Sequence, residues 1–402
     1  MHSRYLPTAV AAALLVLSLA SVGRAQVVLA SFDGPHGEEP YAGLLLSGGT
    51  LYGTASNGGA NNQGTVFSVP VTGGTPTVLA SFNSANGGLP LASLLLSGGK
   101  LYGTTEFGAA GGGTVFSVPV TGGTLTVVAS FDGVQGAKPE SGLLLSGGTL
   151  YGTTNSGGTS NLGTVFSMPV TGGTPTVLAS FNGTNGAYPR SGLTLSGTTL
   201  YGTTAGDTFN NQGTVFSLPV TGGTPTVLAT FDGIHGSSPT AGLTLSDGTL
   251  YGTTNLGGAN SLGVVFSLPV TGGTPTVLTS FDGPHGSQAL AGLLLSGNTL
   301  FGATEFGGTN DAGVVFSLPV AGGMPTVLAA FDGPHGAYPI GDLTLSDGFL
   351  YGTGASGGLY GRGVVFAVAV PEPGTLALLS AAAAGGWLAR RRFQSASLPR
   401  RG

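Results

Sequence analysis

The sequence predicts an all-β fold, namely a seven-bladed β-propeller, and three observations carry this prediction. A unit of about 50 residues recurs seven times in the 402-residue chain, and each unit contains four short strand signals. A further strand signal precedes the first unit and would complete the last one. Because a propeller blade is a four-stranded antiparallel sheet, seven such units supply seven blades.

Three aromatic series define the repeat. The phenylalanine of Gly-(Thr/Val)-Val-Phe recurs at Phe67, Phe116, Phe166, Phe216, Phe266, Phe316 and Phe366. The phenylalanine of Phe-(Asp/Asn) recurs at Phe32, Phe82, Phe131, Phe181, Phe231, Phe281 and Phe331. The aromatic residue of Leu-(Tyr/Phe)-Gly recurs at Tyr52, Tyr102, Tyr151, Tyr201, Tyr251, Phe301 and Tyr351. One unit lacks a residue in a glycine-rich stretch, which is therefore predicted to be a loop.

The fifth unit illustrates the predicted order of strands A to D, counted from the propeller axis outward. Strand A is predicted at Ala241–Ser246, B at Thr249–Thr254, C at Val264–Leu268 and D at Thr276–Phe281. Asp-Gly between A and B indicates a tight hairpin turn. A proline recurs just after strand C, where the strand should end or bulge because proline cannot donate to the ladder.

The ends of the repeat region favour a closed ring. A D-type strand, Val27–Phe32, precedes the first A strand, and no D strand follows the last C strand, Val364–Val368. The N-terminal strand would therefore complete the seventh blade and protect its edge. An open or stacked β array remains the alternative, because repeat length alone does not determine closure.

The N-terminus has the pattern of a signal peptide. Arg4 precedes an apolar run from residue 9 to 20, and small residues at Gly23 and Ala25 mark a cleavage site. Residues 1–25 are therefore predicted to be a signal peptide, and residues 26–370 the exported propeller.

The C-terminus has three parts: Pro371-Glu372-Pro373, an uncharged stretch from residue 374 to 389, and the cluster Arg390, Arg391 and Arg392. This order resembles the PEP-CTERM sorting signal. The resemblance implies that residues 371–393 are recognised and removed by an exosortase-type enzyme, with residues 394–402 a disordered tail. An uncleaved membrane anchor is the alternative reading, with the arginines cytoplasmic. In either case the chain would meet the membrane only through this segment.

The repeat itself resembles the Gloeo/Verruco tandem repeat family of exported bacterial proteins. The likeness extends over nearly all of residues 27 to 370. In the fifth unit it is carried by Leu250–Thr254, Gly263–Ser267 and Ser280–Gly283. The resemblance implies architecture and export, and it implies no particular chemistry.

Composition excludes several classes. Glycine accounts for 77 residues without a Gly-X-Y period, so the chain is not collagen-like, and the absence of cysteine excludes disulfide frameworks and Cys-based zinc sites. Residues 26–370 contain four basic and fifteen acidic residues, a formal net charge of −11. This charge argues against nucleic acid as a partner.

The D–A loops are the first candidate binding site. Four units read Phe-Asp-Gly-x-His-Gly there, which pairs Asp33 with His36, Asp232 with His235, Asp282 with His285, and Asp332 with His335. These pairs suggest a ring that binds a sugar or a loop-bound cation such as calcium. One pair per blade is too few ligands for a metal site, and three other units replace the pair by other combinations that include Asn or Gln. Hydrogen-bonded turn chemistry is therefore the favoured interpretation, and no cofactor is expected.

Phe107 and Phe306, in B–C loops, form the second candidate, since an exposed aromatic ring can stack on a sugar. The alternative is that each ring folds back on its blade. No residue is singular in a catalytic setting, so the sequence favours a non-enzymatic binding or structural module in the envelope or an extracellular polysaccharide matrix. An extracellular carbohydrate-active lyase or hydrolase and a protein-interaction scaffold are the alternatives.

Overall fold

The structure, a computed structural model, describes residues 26–206 and 212–371. Within these ranges the regular elements are 28 β-strands arranged in seven four-stranded sheets. The described residues contain no helix of the length and apolarity needed to cross a membrane. The predicted all-β class is therefore confirmed.

The inner strands of each blade are a short strand A and a longer strand B. The A strands are β2 Leu45–Ser47, β6 Leu95–Ser97, β10 Leu144–Ser146, β14 Thr194–Ser196, β18 Thr244–Ser246, β22 Leu294–Ser296 and β26 Thr344–Ser346. The B strands are β3 Thr50–Ala55, β7 Lys100–Thr105, β11 Thr149–Thr154, β15 Thr199–Thr204, β19 Thr249–Thr254, β23 Thr299–Thr304 and β27 Phe349–Gly354.

The outer strands are C and D. The C strands are β4 Thr65–Pro70, β8 Thr114–Pro119, β12 Thr164–Pro169, β16 Thr214–Pro219, β20 Val264–Pro269, β24 Val314–Pro319 and β28 Val364–Ala369. The D strands are β1 Gln26–Ser31, β5 Thr77–Ser81, β9 Thr126–Ser130, β13 Thr176–Ser180, β17 Thr226–Thr230, β21 Thr276–Ser280 and β25 Thr326–Ala330. Six C strands end at the recurring proline, as predicted.

The ring is closed by the N-terminal strand. The seventh sheet has the order β1-β28-β27-β26, and Gln26 lies opposite Val368 in the antiparallel register. The closed seven-bladed propeller is confirmed, and the open array is excluded. Every strand of the ring lies within residues 26–369.

The predicted A strand was too long. In the fifth blade, strand A begins at Thr244 and not at Ala241. Residues 241 and 242 instead line the central channel with their counterparts from other blades. They therefore lie outside the sheet ladder, although their composition continues the β pattern.

Paired phenylalanines hold neighbouring blades together. Phe231, at the end of one D strand, meets Phe266 of the next blade's C strand edge to face, with ring centroids 5.0 Å apart. The same edge-to-face pair occurs at all seven blade junctions of the described ring. Such pairs add about 0.5–1.5 kcal/mol beyond the burial of their area. The two phenylalanine series of the sequence are thus the two halves of one contact.

A second link joins blades at the outer edge. Each C–D pair contains a bulge, and in the fifth blade Leu278 is the unpaired residue, between Val277 and Thr279. Its freed carbonyl accepts a hydrogen bond from the Gly323 amide of the following blade at 3.0 Å. The bulge therefore serves blade-to-blade pairing, as bulges often serve a specific local purpose.

The loops are divided between two faces. The D–A and B–C loops pair with each other, for example through the bridge between Ser237 and Leu256, and we call this side the loop face. The A–B turns and C–D loops form the opposite face. Among the described residues, Lys100, Asp247 and Asp347 are the charged groups of that opposite face. The remaining charges of the described ring therefore lie on the loop face or in the channel.

Candidate functional site

Seven equivalent residues of the D–A loops, one in each blade, adopt the left-handed backbone conformation with φ between 52° and 58°. Six of them precede a proline, a position that normally favours extended backbone. We call them the left-handed ring: Glu39, Leu89, Lys138, Tyr188, Ser238, Gln288 and Tyr338.

Backbone hydrogen bonds hold this conformation in place. The Lys138 amide donates to the Gly112 carbonyl of the preceding blade at 2.8 Å, and the Lys138 carbonyl accepts from the Asn155 amide at 2.9 Å. Equivalent pairs of bonds occur at the other six positions. Strained conformations of this kind cost about 1–3 kcal/mol and persist where the surroundings over-determine them. The ring therefore presents seven side chains on one rigid and repeated frame.

The sequence reasoning did not identify the left-handed ring. Its signal was present, since the residue before the proline differs among blades while its neighbours recur. The preference of pre-proline residues for extended backbone concealed the conformation.

The channel mouth lies just inside this ring. It is formed by one side chain per blade: Tyr41, Leu91, Glu140, Arg190, Thr240, Leu290 and Ile340. Below the mouth, small residues from six of the seven blades form a throat, and the channel cavity of mouth and throat together has a volume of about 120 Å³. Asp342 stands in the throat and accepts a hydrogen bond from the Gly292 amide at 2.6 Å. Desolvation by the channel wall raises the pKa of the Asp342 carboxyl, and the Gly292 amide opposes that effect.

Blades 2 to 4 place a charged network beside the mouth. Lys138 Nζ lies 2.8 Å from Glu106 Oε1, and Arg190 Nε lies 3.6 Å from Glu140 Oε2. Asn155 Nδ2 donates to Glu140 Oε1 at 2.9 Å. Burial raises the pKa of the Glu140 carboxyl although Arg190 opposes this, and hydrogen bonding to Glu106 raises the pKa of the Lys138 ammonium.

Blade 1 contributes a second network. Glu39 Oε2 accepts hydrogen bonds from Asn57 Nδ2 at 2.7 Å and from the Tyr41 hydroxyl at 3.3 Å. Burial raises the pKa of the Tyr41 phenol, and the Glu39 charge raises it further. The hydroxyl therefore stays protonated and acts as a donor.

Four buried polar atoms around the mouth have no hydrogen-bond partner within the described residues: Ser56 Oγ, Asn155 Oδ1, Thr240 Oγ1 and Asn255 Oδ1. Ser56, Asn155 and Asn255 occupy equivalent positions just after strand B, and Thr240 belongs to the channel mouth. Ser56 is fully buried and Asn155 is 8 % exposed. Buried polar atoms in proteins are normally hydrogen-bonded. Two of these four atoms are amide oxygens, which only accept, so the site suits a group that donates.

The Asp/His pairs form local turns at the rim of the loop face. The His235 amide donates to Asp232 Oδ1 at 2.8 Å, and His235 Nδ1 lies 2.8 Å from Asp232 Oδ2. His36 makes the same two contacts with Asp33, and His335 makes them with Asp332. This geometry agrees with the turn interpretation.

His285 forms the same turn as the other three histidines. Its amide donates to Asp282 Oδ1 at 2.9 Å, and its Nδ1 lies 3.0 Å from Asp282 Oδ1 and 2.8 Å from Asp282 Oδ2. The His285 side chain is half-buried in its own loop, and it lines neither the channel nor the cleft between blades 1 and 2 described below. The structure therefore places His285 in a turn, because both carboxylate oxygens of Asp282 already face its ring nitrogen.

The asparagine loops build the same turn without a histidine. The Asn86 amide donates to Asn83 Oδ1 at 3.0 Å, and the Asn83 amide donates to Asn86 Oδ1 at 2.8 Å. Among the described residues, no group of three or more His, Asp or Glu side chains is arranged to hold a metal ion.

The two candidate phenylalanines differ in their surroundings. Phe306 meets Tyr338 of the next blade edge to face at 5.3 Å. Phe107 is 44 % exposed, and Lys138 Nζ of the next blade lies 5.6 Å from its ring centroid. Each ring thus contacts the left-handed ring residue of the following blade.

Of the predicted sorting residues, Pro371 is described. Glu372, Pro373, Arg390, Arg391 and Arg392 lie outside the described residues, as do the predicted signal peptide and membrane segment.

The architecture and its varied loop face define a closed seven-bladed β-propeller built from tandem repeats. The chain belongs to the Gloeobacter/Verrucomicrobia repeat family, whose model matches residues 15–211 and 196–387. No curated protein sequence matches it.

Solved structures with a similar fold include several enzymes. A puromycin-hydrolyzing peptidase from Mycobacterium tuberculosis has a TM-score of 0.54 at 11 % identity, with 83 % of this chain and 53 % of that chain covered. An oligogalacturonate lyase in complex with manganese has a TM-score of 0.51 at 14 % identity, with 81 % of this chain and 87 % of that chain covered. A puromycin hydrolase has a TM-score of 0.52 at 14 % identity, with 80 % of this chain and 50 % of that chain covered. At such identities the likeness extends to the fold alone.

Proposed function

We propose that this protein is an exported, non-enzymatic binding module that uses its loop face. One observation carries the proposal: a repeated backbone frame presents different side chains in the left-handed ring and at the channel mouth. The opposite face repeats nearly the same turn residues in every blade. Variable side chains on a rigid scaffold are typical of binding surfaces.

The chemistry of the mouth favours a neutral ligand that donates hydrogen bonds. The unpartnered amide oxygens of Asn155 and Asn255 call for donors, and the unpartnered hydroxyls of Ser56 and Thr240 can donate or accept. The propeller's formal net charge of −11 repels anionic polymers unless cations bridge them. A neutral extracellular polysaccharide, rich in hydroxyl groups, meets both requirements, and we propose it as the partner.

The absence of catalysis is part of the proposal. His235 directs its Nδ1 to Asp232 within its own loop, and His36, His285 and His335 do the same with their own aspartates. An aspartate at Nδ1 leaves Nε2 as the nitrogen that could activate a nucleophile, but within the described residues no hydroxyl group is hydrogen-bonded to Nε2 of these four rings. If the protein instead is a lyase or hydrolase, purified residues 26–371 should turn over a polysaccharide panel, and Glu140→Gln or Asp342→Asn should abolish that turnover.

The binding proposal is tested by retention of residues 26–371 on immobilised native matrix polysaccharide and on a glycan array. The mouth variant combines Glu140→Thr with Arg190→Thr, because threonine occupies the same position in the fifth blade. The control is Lys100→Thr on the opposite face, where five other blades carry threonine. We expect the mouth variant to lose retention and the control to keep it. Equal retention of both would overturn the proposal, and capture of envelope proteins alone would favour the scaffold alternative.

Export and sorting are proposed from the terminal sequences. Recognition of Pro371-Glu372-Pro373 by an exosortase-type enzyme would remove the segment that ends in the arginine cluster and deliver the propeller to the envelope or matrix. We expect the full chain to be shortened at both ends in a host with such an enzyme. The Glu372→Ala variant should keep its C-terminal segment, as measured by intact-mass spectrometry. Release of an unshortened chain would contradict this route.

A further inference from the structure

A cleft on the loop face lies between blades 1 and 2, away from the channel mouth. Its volume is about 320 Å³, and its lining includes Asn57, Asn62 and Gln63 from blade 1 and Leu89 and Phe107 from blade 2. No charged residue is among its lining residues. This volume is at the lower end of the range for small-molecule sites, which suits a single small ring.

Phe107 is held as a rigid aromatic platform. Its amide donates to the Gly88 carbonyl at 3.2 Å, and its carbonyl accepts from the Gly88 amide and from Thr105 Oγ1 at 3.1 and 2.7 Å. Lys138, which approaches the ring from blade 3, does not line the cleft. The cation–π contact and the Lys138–Glu106 ion pair fix the ring without burying it. Such preorganisation lowers the cost of binding.

The amide groups of the cleft are available for a ligand. Asn62 Oδ1 accepts from the Gly58 amide at 3.1 Å, and its Nδ2 has no partner among the described residues. Asn57 donates a hydrogen bond from its Nδ2 to Glu39, and its Oδ1 has no partner among the described residues. Gln63 makes no side-chain hydrogen bond there, and its Oε1 rests close to Gly88. Free amide donors and acceptors side by side match hydroxyl groups, which both donate and accept.

Other blade junctions differ in the corresponding space. The junction of blades 4 and 5 is also open, with Gln212 at the position of Gln63, but it has Leu256 at the position of Phe107. Leu162 and Leu262 occupy the position of Gln63 in blades 3 and 5, and both pack against the hydrophobic core. In blade 6, Phe306 occupies the position of Phe107, and its ring contacts Tyr338 of the next blade. The ring of Phe107 in blade 2 contacts Lys138 of the next blade instead. The combination of a free amide and an exposed ring is therefore specific to the junction of blades 1 and 2 within these comparisons.

We propose that this cleft binds one uncharged sugar ring, with its apolar face on Phe107 and its hydroxyl edge on the amides of Asn57, Asn62 and Gln63. An uncharged ligand fits a lining without charges in a propeller of net negative charge. The inference rests on the proposed function in that the cleft belongs to the same face.

Titration of residues 26–371 with methyl glycosides of glucose, galactose, mannose and N-acetylglucosamine tests the cleft, by saturation-transfer NMR and calorimetry. Phe107→Ser and Gln63→Leu introduce residues that sister blades already carry at these positions. Phe306→Ser is the matched control. We expect at least one glycoside to bind the unmodified protein. Its affinity should be about tenfold lower for Phe107→Ser and unchanged for Phe306→Ser. Thermal unfolding midpoints confirm that the variants are folded.

Failure of all four glycosides to bind would overturn the inference, as would equal losses in Phe107→Ser and Phe306→Ser. Binding of adenosine or glucuronate in preference to the glycosides would also overturn it. The retention assay separates the two proposals. If matrix retention is lost in the Glu140/Arg190 variant but no glycoside binds, loop-face binding stands and the cleft inference fails. If a glycoside binds as expected but the Glu140/Arg190 variant keeps retention, the cleft inference stands and the proposed function fails.

Discussion

A Cβ atom placed on Gly252 would lie 2.7 Å from Cζ of Phe266, which is opposite it in the B–C register. The phenylalanine of the C strand therefore lies directly over the glycine of the B strand. The corresponding distance is 2.6 or 2.7 Å in every blade. Two sequence motifs that seemed separate are thus one packing unit.

The first prediction follows from this contact. Gly252→Ala should destabilise the propeller by about 1–3 kcal/mol, because an added methyl group overpacks a fully buried ring. Gly142→Ala is the control, since its Cβ would meet its nearest atoms at 3.7 Å or more and its φ is not in the left-handed region. Urea unfolding midpoints compare the two. Equal midpoints would contradict the packing explanation.

The sequence predicted much of the fold because the repeat samples the same contacts seven times. The strand order, the closing strand and the proline at the end of strand C all follow from local patterns. The bulge at Leu278 was not predictable, since its purpose is a bond to Gly323 in another blade. Pairing between blades depends on spacing across the ring, which local pattern does not specify.

The candidate site was predicted less well. The phenylalanine positions were recognised because they interrupt an otherwise uniform repeat. The structure pairs His285 with Asp282 in its own loop, which is the turn that the motif predicted, and the role of this loop in ligand binding stays a prediction. The left-handed ring and the orphaned atoms at Asn155 and Thr240 were missed. Their environment arises where loops of adjacent blades meet, and a pre-proline residue gives no local sign of a left-handed backbone.

A second prediction concerns the inner hydrogen bonds between blades. In six blades a threonine of strand B donates to a carbonyl of the next blade, as Thr353 does to Ala42 at 2.8 Å. The sixth blade has Ala303 at this position. Ala303→Thr should supply the missing donor and stabilise the ring by about 0.5–1.5 kcal/mol.

Denaturant unfolding measures that gain. Thr353→Ala, the reverse change at the closing junction, should lower stability by a similar amount. A destabilised Ala303→Thr protein would mean that the sixth junction cannot accommodate the hydroxyl.

The third prediction concerns acid. Hydrogen bonds from the amides of His235 and His335 hold the pKa values of the Asp232 and Asp332 carboxyls below their ordinary value. The unfolded chain therefore takes up these protons first as the pH falls. The stabilisation is present above about pH 4 and is lost as the pH falls through the lowered pKa values.

The Asp232→Asn/Asp332→Asn variant should keep the turns, because asparagine occupies this position in two other blades. We expect it to lose less stability than the wild type between about pH 5 and pH 2.5, as measured by urea midpoints. Parallel losses in the two proteins would show that these carboxylates are not the groups responsible.

The fourth prediction tests closure. Phe32 and Ala30 are buried in a cluster shared by the first and seventh blades, which includes Phe67 and Val365. Deleting residues 26–32 should lower the free energy of unfolding by about 3–5 kcal/mol or more, the cost expected for losing a buried phenylalanine. The deletion also exposes the edge of β28 to other chains. We expect a lower unfolding temperature and self-association by light scattering. A synthetic peptide of residues 26–33 should reverse both effects by adding the missing strand, whereas a peptide of scrambled sequence should not. A monomeric deletion variant with wild-type stability would contradict the role of this strand.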